Sequence, residues 1–193
     1  FENLLWFWLL DDDYHPYQLL GHSIQKIAGA VTLGELDFVV LNTQTNEIEH
    51  WEVALKYYLG ENELDLAQWY GLNREDTLHR KLKHFTERQF QFSEANHHQI
   101  QRKFAVMKGQ PYLPEQQNSL SLPSWINASR RLGQWGTHIP QTPYYRLQRH
   151  EWLCPNLEPS SQTAVWWTNG LYYQDQPTHS YYMFRQPSLL FMK

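Results

Sequence analysis

The chain has 193 residues, enough for one domain with a real core and a small appendage, and too few for two large domains. With 16 Lys and Arg against 20 Asp and Glu its formal net charge is −4, which excludes a protein that coats nucleic acid through global charge and leaves phosphate contacts to a local basic patch. The single cysteine, Cys154, excludes an internal disulfide framework and a Cys-based zinc cluster, so a reducing, cytoplasmic setting is expected.

The sequence begins at Phe1 rather than methionine, and a segment upstream of it is expected. Residues 2–10 form a helix stopped by "DDDYHP"; their apolar run is far shorter than the roughly 20 residues a spanning helix needs, so no membrane segment is expected. Residues 22–32 lean to strand. "LGELDFVVLN" then alternates Leu36, Phe38 and Val40 against Glu35, Asp37 and Val39, a strand pattern, and "TQTNE" is a polar turn into a third strand over residues 48–59. On that strand His50, Glu52, Ala54 and Lys56 share one face, and Trp51, Val53 and Leu55 share the other. From Asp76 to Phe92 the stripe Leu78, Leu82, Phe85 and Phe92 predicts a helix, with Lys81 and Arg88 at its edge, able to reach toward a sheet. Residues 101–108 give a fourth strand. Residues 109–143 read as a long, partly ordered connection, and "YYRLQRHEWLC" and "HSYYMFRQPSLLF" as strands of a β-rich extension.

Asp37 and Glu52 fall on neighbouring strands of one hairpin and each points away from its apolar neighbours, so both are expected in one cleft. Two carboxylates so placed repel unless a cation or proton lies between them, and oxygen ligands of this kind suit Mg²⁺ or Mn²⁺. Such an ion could activate water beside a phosphate, with a lysine stabilising the developing charge. Against this stands the ordinary alternative that both acids are solvent-facing strand residues. Asn73 and Asp76 read as helix caps, and His79, His84, His97 and His98 as surface residues without a zinc-ligand arrangement. Cys154 lies four residues after His150, too separated on a strand to pair as a nucleophile and base. The aromatic pairs at 166–167 and 181–182 could stack bases, although core packing is the commoner role.

The order α-β-β-β-α-β, with "GELD" on the second strand and "WEVALK" on the third, resembles the PD-(D/E)XK nuclease superfamily. The motifs "LGELDFVV", "HWEVALKYYLG" and "YGLNREDTLHRKLKHF" resemble more closely a bacterial family known as domain of unknown function 1853, over residues 1 to about 155. The superfamily resemblance implies a restriction-endonuclease-like αβββαβ core over residues 1–113, a mixed central sheet, and a linker and β-rich extension over 114–193. It also implies hydrolysis of DNA or RNA phosphodiesters, with Asp37 and Glu52 as ligands of Mg or Mn, and Glu2 and Glu35 as further acidic candidates. In the superfamily pattern the lysine follows the second acid by two residues, where this chain has Ala54. The catalytic lysine is then Lys56, reached through a bulge, or Lys81 from the facing helix, with Ala54 leaving room for it. The alternative is a catalytically inactive relative of the same fold that binds nucleic acid or protein.

Overall fold

A computed structural model describes residues 1–115, 121–127, 129, 132–153, 163–175 and 179–187. The fold is mixed α/β, with much sheet and few helices. In chain order the regular elements are α1 (Glu2–Leu9), β1 (Tyr17–Ala28), β2 (Val31–Asn42), β3 (Glu47–Gly60), β4 (Trp69–Tyr70), α2 (Leu78–His84), β5 (Glu94–Ala95), β6 (His98–Gln99), β7 (Arg102–Pro114), β8 (Gly133–Gly136), β9 (Tyr145–Arg146), β10 (Gly170–Gln174) and β11 (Ser180–Phe184). Among the described residues, no helix is long and apolar enough to cross a membrane.

The chain divides into two compact units. The first holds residues 1–56 and 79–108; the second holds residues 57–78 and 109–193.

In the first unit β1, β2 and β3 form an antiparallel meander. The β2–β3 turn is tied by Asn42, whose Oδ1 accepts the Gln44 N–H at 3.1 Å and whose Nδ2 donates to Glu49 Oε1 at 2.9 Å. Alternation along the strands builds two apolar layers. Phe38, Val40, Trp51 and Val53 pack with Leu9 of α1 on one side, while Leu36 and Val39 pack with Ala95 and Phe92 on the other. Both faces of β3 are therefore covered, where the sequence suggested a half-buried strand: His50 is 0 % exposed and Glu52 1 %.

The sequence pattern carries the second helix unbroken to residue 92. In the structure α-helical bonding ends at His84, and Phe85–Gln89 continues as a π-helical turn closed by the Phe90 N–H on Phe85 O at 2.9 Å. Thr86, whose hydroxyl donates back to the Leu82 and Lys83 carbonyls, sits inside this turn. Such wide turns rotate the residues beyond them and recur at functional sites. Lys103 then donates to the Phe90 carbonyl at 2.6 Å, a cation placed at a helix end. Between β5 and β6, Asn96 and His97 both have positive φ, as a two-residue hairpin turn requires.

The second unit is a mixed sheet. β8 pairs in parallel with both β7 and β11, β10 pairs antiparallel with β11 and β9, and β4 pairs with the end of β3. Its core gathers Leu59, Tyr112, Leu147, Leu171, Tyr173, Tyr181 and Met183. Gly133 is required by close approach, since a Cβ there would stand 2.3 Å from the Tyr112 ring. β10 lies in a stretch with no alternating signal because all five of its residues are buried. The strand expected in "YYRLQRHEWLC" is short and gives way to a 3₁₀ turn over Arg149–Trp152. Cys154 lies outside the described residues.

Candidate active site

The β2–β3 ladder runs from Asn42↔Glu47 to Phe38↔Trp51. One step further, at Asp37 and Glu52, a side chain replaces the backbone bond: the Val53 N–H donates to Asp37 Oδ2 at 2.8 Å. The opening of the ladder is thus held by the Asp37 carboxylate itself. Burial pushes the Asp37 carboxyl up to about 6; the Val53 N–H pulls it back, the negative charges of Glu52 and then Glu2 push it higher, and the Lys81 ammonium lowers it. Asp37 therefore feels two other acids and one base, the base coming from α2.

Glu52 is held on both carboxylate oxygens. Oε1 meets His50 Nε2 at 2.6 Å and Oε2 accepts Gln89 Nε2–H at 2.9 Å. Gln89 also donates to the Glu35 carbonyl at 3.1 Å, so the π-helical turn is pinned to β2 and β3 by one amide. With His50 donating through Nε2, its Nδ1 faces a buried environment without a hydrogen-bond partner among the described residues, and the ring stands edge-on to Phe90 with centroids 5.7 Å apart.

Of the residues singled out in the sequence, the structure brings together the charges of Asp37, Glu52, Glu2 and Lys81. Glu2 reaches the site's edge but binds His22 at 3.2 Å. Glu35 contributes its backbone carbonyl to Gln89. Lys56 is half-buried at the last β3 position of the first unit. The Lys81 ammonium lies over the Phe85 ring, 4.1 Å from its centroid. Among the described residues, no group of three or more His, Cys, Asp and Glu converges as a metal cage. A pair of carboxylates nevertheless suits Mg²⁺, which is commonly held by one or two carboxylates with water and substrate phosphate completing the shell. Each Glu52 oxygen keeps acceptor capacity beyond its one hydrogen bond.

His50 and Gln89 are the residues that the sequence did not single out. The i, i+2 spacing of His50 and Glu52 on one strand face was a usable signal, whereas Gln89 is aimed by the π-helical turn, which has no sequence signature.

The fold and the acid pair, Glu52 buried and Asp37 half-buried, define a mixed α/β protein with a charged centre in its first unit. The chain belongs to the family described as domain of unknown function (DUF1853), whose model matches residues 1–184, beyond the span to about residue 155 that the motifs covered. Comparison with curated proteins and with solved structures returned no match.

Proposed function

We propose that the chain is a divalent-cation-dependent phosphodiesterase acting on DNA or RNA, on a restriction-endonuclease-like core. The observation that carries this reading is the juxtaposition, at the opening of the β2–β3 ladder, of the Asp37 and Glu52 carboxylates with the Lys81 charge. A bound Mg²⁺ or Mn²⁺ would lower the pKa of a water and neutralise phosphate charge. Asp37 would contribute a carboxylate that ionises as pH passes about 6. His50 and Gln89 fix the Glu52 carboxylate, removing the reorganisation a mobile acid would need. Lys81, in the role left vacant by Ala54, would steady the negative charge that builds on the phosphoryl oxygens.

A second reading, a catalytically inactive nuclease-like module that binds nucleic acid or protein, is favoured by one feature: both Glu52 oxygens are already engaged. The experiment that separates the two is incubation of purified protein with labelled DNA and RNA in Mg²⁺, in Mn²⁺ and in chelator. Cleavage with either ion, lost in Asp37→Asn and reduced in Lys81→Ala, supports the enzyme. Ion-independent binding without cleavage supports the module, and neither binding nor cleavage removes nucleic acid from both readings.

A further inference from the structure

The first unit holds a second concave feature, a cavity of about 560 Å³ lined by Tyr17, Glu49, Trp51, Arg102, Phe104 and Lys108, among others. That volume lies within the roughly 300–1,000 Å³ of small-molecule sites. Trp51 and Tyr17 belong to the apolar layer packed on α1, so the cavity opens on the face of β3 opposite His50 and Glu52. It is separate from the acid pair, and ligand binding there does not depend on phosphodiester hydrolysis.

Three chemistries meet there. Tyr17 and Trp51 pack edge to face at 4.7 Å, and Phe104 adds another ring to the lining. Glu49 is 5 % exposed, and its two oxygens are aimed by neutral donors: Asn42 Nδ2 on Oε1 at 2.9 Å and Trp51 Nε1 on Oε2 at 2.7 Å. Each oxygen of a carboxylate has about two acceptor directions, so both oxygens of this lining residue keep acceptor capacity. Arg102 lies 5.6 Å from the Phe104 ring centroid and touches Glu47 at only 3.9 Å, with the Arg102 side chain exposed and that of Glu47 partly so. A pair so exposed is weak, and Arg102 can exchange Glu47 for a stronger anion. Lys108 lines the same cavity further along β7.

We infer that this cavity binds a guanine nucleotide. Aromatic rings take the base plane and Arg102 takes the phosphate. The acceptor pair of Glu49 selects the base. Guanine alone among the common bases offers two adjacent N–H donors, N1–H and N2–H, along its pairing edge; adenine and cytosine place an acceptor there, which the carboxylate repels.

The test is isothermal titration of the full chain in chelator with GMP, AMP, guanosine and a single-stranded oligonucleotide ending in a guanylate. GMP is expected to bind at least about tenfold more tightly than AMP or guanosine, from the charge-assisted bonds each competitor lacks. Glu49→Gln should abolish the preference over AMP, and Arg102→Ala the preference over guanosine. Tighter binding of the oligonucleotide than of GMP assigns the guanylate to a strand end, and the reverse to free nucleotide. Absence of GMP binding, equal affinity for AMP, or an Arg102→Ala variant that still prefers GMP to guanosine overturns the inference. Circular dichroism checks the fold of Glu49→Gln; should it fail to fold, Arg102→Ala and the AMP comparison on the wild type decide.

Discussion

The two units bury polar groups in different ways. In the first, a short run of β3 encloses Glu49, His50 and Glu52, none more than 5 % exposed. In the second, β10 and β11 enclose Tyr172, Tyr173, Tyr181 and Tyr182, each 4 % exposed or less, and the hydroxyls of Tyr172, Tyr173 and Tyr182 find partners in nearby carbonyls and side chains. A phenol carries mostly apolar area and a single polar atom, so its burial is favourable once that atom is bonded. A buried carboxylate is costly to enclose, and it persists only where partners are placed for it. The first unit therefore gathers its buried acids on one strand, whereas the second orders an aromatic core through polar tips and holds the buried Glu151 carboxylate apart from that core's strands, in the 3₁₀ turn over Arg149–Trp152, on the Gln148 N–H.

The largest expected effect comes from breaking the buried cluster. Glu52→Ala leaves His50 and Gln89 facing an empty pocket, and the loss should reach about 3–5 kcal/mol, the range for removing one partner of a buried, hydrogen-bonded charge. Tyr182→Phe in the second unit should cost only about 1 kcal/mol. Its hydroxyl bonds Glu115 and the His138 carbonyl, but Glu115 keeps its 2.7 Å contact with His138 and is accessible to water. Urea denaturation of both variants measures the difference; similar losses would remove the distinction between the units.

That distinction was only partly legible in the sequence. The β2–β3 hairpin was readable because alternation and a polar turn coincide, and with it Asp37 and Glu52. The burial of Glu49 and His50 was not, because strand periodicity assigns a face and says nothing of what covers it. Over His50 the cover is the π-helical turn and over Glu49 it is Asn42 and Trp51, and the stripe from Leu78 to Phe92 reads equally well as a plain helix. Gln89 became a site residue only through that local widening. In the second unit β10 escaped notice for the opposite reason: with both faces buried, "GLYYQ" has no alternation to detect.

A smaller effect, and one with a sign, comes from Asp37. Its folded-state value is raised from 3.8 to about 6, so the folded chain holds this proton more tightly than the unfolded one. The stabilisation is complete below about pH 4 and is lost as pH rises through about 6, after which the contribution is flat. Because Asp37 is only half-buried, the amplitude after solvent screening should be about 1 kcal/mol. Asp37→Asn keeps an oxygen for the Val53 N–H and removes the charge, so it should flatten this step and leave the protein more stable at pH 7. A stability profile from pH 4 to 8 tests this, and a step that persists in the variant assigns it to another group. If the phosphodiesterase reading holds, the same substitution removes cleavage, so stability and activity move in opposite directions.

The smallest effect decides which lysine serves the site. Lys81 lowers the Asp37 carboxyl through its charge, and its contact with Phe85 is a partly exposed cation–π pair worth about 0.5–1 kcal/mol. Lys81→Met keeps an apolar stem over the Phe85 ring and removes only the charge, so stability should change by less than about 1 kcal/mol while the Asp37 midpoint moves upward. The lysine charge acting on Asp37 comes from Lys81, so Lys56→Met should leave that midpoint in place. Carboxyl carbon-13 titration of Asp37 in both variants reads the two shifts directly. A midpoint that moves with Lys56 and not with Lys81 would transfer the lysine's role back to β3, and would require the strand to bring Lys56 past Ala54 to the opening at Asp37.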